Sequence, residues 1–486
     1  MRLSELFREV EFDGSIKNDA DINLVTDDSR LVRPGSLFVC IRHRSFDGHT
    51  AAVDALASGA AAVVTQDRLG LENELRVADS RSAYARLCAA LCNHPERKLR
   101  MIGVTGTNGK TTVTTLVRNI LSDSGTKTLL TGTVCNRLGD ENLPSGLTTP
   151  KPPELYSLLS RAVPQGCKAC VMEASSQALA QGRLEGIDFD AAVFTNITRD
   201  HLDYHGTFEN YISAKKKLFE HSTLSIVNLD DPRAGEIIAA AKGKVITFST
   251  VLDCADYTAK NISLLSDCVH FELVSKGHIE HIEFASPGLF SVSNAMAAAV
   301  CAINLGIEPK DAAQSLAKSK SVCGRLERVE CSAPYSVIID YAHTPDGLEQ
   351  VLRALRPSCR GKLIVLFGCG GDRDRTKRPL MGAVACKYAD KIIVTSDNPR
   401  SEDPIKIIGD ILKGTDKKRR DLFVEPDRRK AIALALKTAE PGDTVLLAGK
   451  GHEKYQLIGG EKLPLDERET VRKILGLPHD TGRKKQ

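Results

Sequence analysis

The stretch RMIGVTGTNGKTTVTTLVRNIL, residues 100–121, constrains this chain more than any other. A β-branched apolar run ends in a glycine turn, and Val113, Leu116, Val117, Ile120 and Leu121 then recur at helical spacing before Gly125. Strand, tight loop and helix in that order account for the pattern. Such a loop aims backbone N–H groups at phosphate oxygens, and the helix N-terminus adds partial positive charge. Gly106, Thr107, Asn108, Gly109, Lys110, Thr111 and Thr112 are therefore the candidate cradle for a nucleotide. In it Lys110 reaches the β and γ phosphates, and the Thr111 hydroxyl faces Mg²⁺. The first glycine of the usual G-x-x-x-x-G-K-[ST] pattern is displaced, because Val104 holds that position and the glycine is Gly103.

Similar alternations of short apolar runs and helical periodicities fill the rest of the chain. They predict α/β layers around mainly parallel sheets. At 486 residues the chain is too long for one hydrophobic core. The polar stretch NHPERK and the segment Cys331 to Pro334 divide it into three expected domains, 1–96, 97–332 and 333–486. The central one is expected to be a P-loop ATPase domain and the last a Rossmann-like domain. Lys plus Arg number 66 against 62 for Asp plus Glu, which disfavours a general nucleic-acid surface. Aromatics make up 5% with no Trp, which disfavours a base-stacking platform. KKRR at Lys417 to Arg420 and the terminal GRKKQ read as solvated basic patches.

The first residues lack an apolar signal region, and no run approaches ~18 apolar residues, so neither a membrane span nor export is expected. The 14 cysteines are scattered, as in a reduced cytoplasmic protein, and the single CxxC, Cys167 and Cys170, reads as buried thiols.

Other chemistry gathers where apolar runs stop. ACVMEASS ends a buried strand at Glu173, a place where a nucleotide-bound Mg²⁺ needs an oxygen ligand. AAVFTNITRDHLDYH places Asn196, Asp200, His201, Asp203 and His205 just beyond another strand. In YISAKKKLF, Lys216 and Lys217 read as a solvated helical face. GTNGKTT, MEASS, TNITRDHLDYH and YISAK, in this order, resemble the Mur ligases, ATP-dependent amide-forming enzymes of peptidoglycan synthesis.

The resemblance implies that Lys215 is carbamylated by CO₂ and becomes an anionic Mg²⁺ ligand beside Thr111, Glu173 and His201. It places Asn294, Arg325 and Asp340 on ATP, and makes Lys110, Lys215, His201 and Arg325 catalytic. Gln177 stands where relatives commonly carry His. TDDSR with Ser29, FDGH with Asp47 to His49, and TTP with Thr148 and Thr149 resemble contacts to a UDP-muramyl substrate. Ser175, Gln181 and Arg183 fall at positions that hold its peptide portion.

DYAHTPDGL, FGCGGDRDRTKRPLM, TSDNPRSEDP and GKGHEKYQ resemble the tripeptide-forming branch of the family. Its meso-diaminopimelate-adding members carry DNPR, intact here as Asp397, Asn398, Pro399 and Arg400. Diaminopimelate ends in an ammonium–carboxylate pair where lysine has an ammonium alone, and Arg suits the extra carboxylate. Arg373, Gly449 and Glu453 complete the implied acceptor site. His343 belongs to the DYAHTP motif with no role assigned. The expectation is a monomeric ligase joining meso-2,6-diaminopimelate to UDP-N-acetylmuramoyl-L-alanyl-D-glutamate through an acyl phosphate. L-lysine as acceptor, folylpolyglutamate synthesis, or a P-loop switch protein are the alternatives.

Overall fold

A computed structural model describes residues 1–43, 46–416 and 419–478. Lys417 and Lys418 of KKRR, and the terminal GRKKQ, lie outside the described residues. The chain builds three α/β domains, each around its own sheet. The first sheet has four parallel strands, Leu24–Thr26, Ser36–Val39, Ala60–Thr65 and Glu74–Arg76. The second has eleven strands. At its heart Arg100–Thr105 pairs in parallel with Ala169–Glu173 on one side and Ala191–Phe194 on the other. The third has six, with Ser336–Asp340, Thr444–Ala448, Leu363–Phe367 and Lys391–Val394 adjacent and parallel.

The central strand and helix obey their sequence pattern. Val113, Leu116, Val117, Ile120 and Leu121 on helix Lys110–Asp123 are all fully buried against the sheet. Each such side chain contributes about 1.5–3 kcal/mol relative to exposure. This anchored helix fixes its own N-terminus, and hence the loop before it. Gly109 takes φ +88°, and a Cβ there would stand 2.4 Å from Asn294 Oδ1, so only glycine closes the turn without strain.

Three features depart from the expected layout. The central sheet carries an antiparallel meander, Tyr257–Leu264, Val269–Ser275 and His278–Phe284, at one edge. VHFELVS alternates in period two, burying Val269, Phe271 and Leu273 beneath helix Leu289–Asn304. The apolar core of the first sheet also runs without a break into the central domain, joining Leu87 and Cys88 to Leu155, Tyr156 and Phe189. Glu327–Arg328 already pairs with Ile338 and Ile339, so the third sheet begins ahead of the boundary expected near residue 332. Cys167 and Cys170 are buried free thiols. No helix among the described residues is long and apolar enough to cross a membrane.

Candidate active site

Parallel sheets present their strand ends, and the loops that follow, along one edge. Here that edge of the central sheet faces the corresponding edge of the third, and three cavities of about 310, 120 and 150 Å³ lie along the seam. Tyr341 and His343 border all three, while Asp200 and His201 border the second and third. The cavities thus form one trough with a common junction.

The largest of these three is lined by Asn108, Gly109, Thr112, Asn294, Arg325 and Asp340, among others. Its dimensions and mixed lining suit a nucleoside. Asp340 is buried and accepts N–H bonds from Leu326 and Ala342 at 2.7 Å each, and burial pushes its carboxyl up. Asn108 joins the domains by donating to Asp346 at 2.9 Å.

The middle cavity contains the loop. Lys110 Nζ folds back onto the carbonyls of Gly106 and Thr107, 2.9 Å from each. Burial lowers its proton affinity, although Glu173 and Asp200 pull the other way. Thr111 Oγ1 donates to Glu173 Oε2 at 3.1 Å and is reached by Arg325 Nη2, also at 3.1 Å. Thr133 holds Glu173 from the opposite side through its N–H and hydroxyl. Lys215, 1% exposed, donates to the Gly106 carbonyl at 2.8 Å and lies over the Tyr211 ring. Burial and then Lys110 drive its proton affinity far below that of a free lysine. Lys216 is half-buried and Lys217 exposed.

At the junction, burial would raise the Asp200 carboxyl, but His201, His343 and Lys377 outweigh it and hold it down to about 2. Burial pushes both His201 and His343 down to about 4, so both rings are neutral near pH 7. His343 Nδ1 faces the Tyr341 carbonyl at 2.9 Å; a carbonyl only accepts, so this nitrogen carries the proton. His205 instead bonds to Ser176 Oγ at 3.0 Å and packs on Tyr204 and Tyr211.

The third cavity brings Arg373, Asp397, Asn398, Arg400, Gly449 and Glu453 together from three separate loops. Pro399 shapes the turn between them, its carbonyl so close to Gly371 that a Cβ there would meet it at 1.9 Å. Arg400 has φ +53° and donates to the Gly371 carbonyl at 2.7 Å. Burial and the nearby Arg373 lower its proton affinity.

Thr148 and Ser175 border the middle cavity. Thr149 accepts from Ser175 N–H at 3.0 Å, and Arg183 donates to the Thr149 carbonyl and to Gln181. These five residues form one wall reaching toward the first domain. Ser29 is not on the cavity linings; it sits on the short turn Ser29–Leu31, capped by Asp28. Asp47 and His49 are bonded to one another at 2.6 Å, and His49 Nε2 accepts from Gln66 N–H. FDGH therefore ties its own loop to the segment that follows strand Ala60–Thr65.

Sequence reasoning gave no role to Tyr341, His343, Lys377, Arg378 or Lys450. Arg378, fully buried, binds Glu402 and Asp410 and braces the Gly370 carbonyl beside the acceptor residues. The signal for Lys450 was a lysine placed two residues after the fully buried strand Thr444–Ala448.

Residues 104–302 match the Mur ligase middle domain, residues 324–451 the Mur ligase glutamate ligase domain, and residues 21–90 the Mur ligase catalytic domain. A UDP-N-acetylmuramoyl-L-alanyl-D-glutamate--2,6-diaminopimelate ligase of Caldanaerobacter subterraneus subsp. tengcongensis is 43% identical over 98% of this chain and 99% of its own length. The chain belongs to the Mur ligase family. A ligase of the same name from Syntrophomonas wolfei is 42% identical over the same shares of both chains. A solved structure of a ligase of this name superposes on this Mur ligase with a TM-score of 0.70 at 35% identity, covering 98% of this chain and 99% of that one.

Proposed function

We propose that this Mur ligase joins meso-2,6-diaminopimelate to the D-glutamate of UDP-N-acetylmuramoyl-L-alanyl-D-glutamate, using ATP, as a cytoplasmic monomer in peptidoglycan precursor synthesis. The observation that carries this reading is the continuous trough, in which a nucleoside-sized cavity, a phosphate loop and a pocket with two arginines meet at one junction. A reaction needing a nucleotide, a carboxylate and an amine requires such a meeting point. The full-length similarity to ligases of that name supports the same acceptor.

A carboxylate is a poor electrophile and must be activated before an amine attacks it. The D-glutamate γ-carboxylate attacks the ATP γ-phosphorus, ADP leaves, and an acyl phosphate results. The amine of diaminopimelate then adds to the acyl carbon, loses a proton, and the tetrahedral species expels phosphate. The ATP residues are Gly106 to Thr112, Asn294, Arg325 and Asp340. Lys110 and Arg325 stabilise the charge that develops on the transferring group.

Thr111 Oγ1 and Glu173 Oε2, 3.1 Å apart at the loop, are hard oxygen donors of the kind that suits Mg²⁺. Thr111, Glu173, His201 and a carbamylated Lys215 would hold the ion, which supplies charge neutralisation on the phosphates when bound. Carbamylation fits the environment of Lys215. Depressed proton affinity favours the neutral amine, the form that adds to CO₂. Ser29, Thr148, Thr149, Ser175, Gln181 and Arg183 would take the UDP-muramyl substrate. Arg373, Asp397, Asn398, Pro399, Arg400, Gly449 and Glu453 would take diaminopimelate. The first, central and third domains, divided near residues 96 and 332, would each bind one end of the ternary complex, and closure would keep water from the acyl phosphate.

Phosphate release by the purified protein tests this. It should require ATP, Mg²⁺, the UDP-muramyl dipeptide and an amino acid together. Release that ignores the muramyl dipeptide would instead favour a nucleotide switch.

A further inference from the structure

Lys450 follows the buried strand Thr444–Ala448 and is itself fully buried. Its Nζ donates to Asn398 Oδ1 at 2.9 Å and to Glu453 Oε2 at 2.6 Å. One ammonium thus ties the DNPR loop to the loop that follows the strand. The Leu457 N–H also donates to Asn398 Oδ1 at 2.9 Å, so the amide can have only one orientation. Its Nδ2 must then donate to Glu453 Oε2, 2.8 Å away. Asn398 Oδ1 is thus filled from within the protein, and the second Nδ2 hydrogen is what the side chain can offer a ligand. Glu453 Oε2 is likewise engaged by two donors, and among the described residues no hydrogen bond to Oε1 occurs, leaving that oxygen for a ligand.

The charges at this end of the cavity can be counted. Arg373, Arg400 and Lys450 are three cations against three carboxylates, Asp397 and Glu453 in the pocket and Asp372 beside Arg373 and Arg400. The buried Arg428 near Asp397 is matched by Glu467, to which it donates at 2.8 Å. Lys377 and Asp374 serve the other end, where Lys377 acts on Asp200 and Asp374 approaches Arg199. An amino-acid end bearing both ammonium and carboxylate is neutral and can satisfy Arg400 and Glu453 together. An end bearing only an ammonium leaves a net positive charge in a pocket that Lys450 has brought to balance.

We propose that Lys450 is a specificity-determining residue, whose buried charge offsets Glu453 and makes the pocket reject a bare cationic end in favour of a zwitterionic one. The proposal rests on the ligase reading above. Discrimination here comes from repulsion of the wrong acceptor as well as attraction of the right one.

The test is the full-length K450M variant, assayed for phosphate release with the UDP-muramyl dipeptide and either meso-diaminopimelate or L-lysine. The ratio of kcat/KM for the two acceptors should fall by about tenfold or more, while KM for ATP stays within about twofold of wild type. A ratio that holds while both activities fall together would make Lys450 a structural prop and overturn the proposal. Two further variants keep the test decisive if K450M does not fold. K450R should retain the wild-type ratio, and E453Q, which leaves the cations in excess, should raise it. A fall in either would refute the charge argument. Wild-type protein that uses neither acceptor would sink the ligase reading and this proposal with it, whereas K450M that discriminates as wild type does sinks this proposal alone.

Discussion

The phosphate loop and the acceptor pocket are neighbours along one trough, yet they are built in opposite ways. The loop is a run of consecutive residues whose geometry comes from backbone: positive φ at Gly109, a helix anchored by five buried apolar side chains, and carbonyls that hold Lys110 and Lys215. The pocket is assembled from loops far apart in the chain and held by charged side chains, with Lys450, Asn398 and Glu453 linked across 52 and 55 positions in two of the bonds. The first kind of site tolerates little change in backbone and binds what all members of a family share. The second can be retuned one side chain at a time, which suits the part of a ligase that chooses its amino acid.

That contrast can be broken in four ways. Lys110→Ala should cost the most, about a hundred- to a thousandfold in kcat with either acceptor. Single-turnover phosphate release would check it, and a loss confined to one acceptor would contradict the separation of the two sites. Arg400→Ala should lower kcat/KM for diaminopimelate by about a hundredfold, the scale of losing a buried charge pair, and leave KM for ATP nearly unchanged. Equal losses in both would mean that the residue supports the fold.

Gly109→Ala should strain the turn by about 1–2 kcal/mol and weaken nucleotide binding at the same time. Calorimetry with ADP and a melting curve would check both effects, and unaltered ADP affinity would show that the loop adapts. The last effect is on pH dependence. His201, His343 and His452 are held by burial at about 4 in the fold against 6.5 ordinarily, so between those values the unfolded chain binds more protons. Stability should be complete above pH 6.5 and decline as pH falls toward 4. Melting temperatures across that window should drop in wild type and drop less in His343→Gln; parallel slopes would remove His343 from the account.

The same contrast explains what could be read beforehand. The strand, loop and helix of residues 100–121 were legible because periodicity and glycine spacing are local. So was Glu173, which ends an apolar run. The acceptor residues became legible only through family resemblance, since Asp-Asn-Pro-Arg alone is also a turn. Lys450 and Arg378 escaped notice because a buried cation is defined by partners elsewhere in the chain. The meander after Tyr257 was missed because a few alternating residues carry a weak signal. His49 and His205 both stand in suggestive motifs, and both bond within their own surroundings.

The central claim is that the trough joins a muramyl dipeptide to diaminopimelate at the expense of ATP. Mass analysis of the product formed when meso-diaminopimelate and L-lysine compete at equal concentration tests it most directly. The account predicts UDP-muramyl tripeptide carrying diaminopimelate, with one ADP and one phosphate formed per peptide bond. A product carrying mainly lysine, or phosphate released without a new peptide bond, would contradict it.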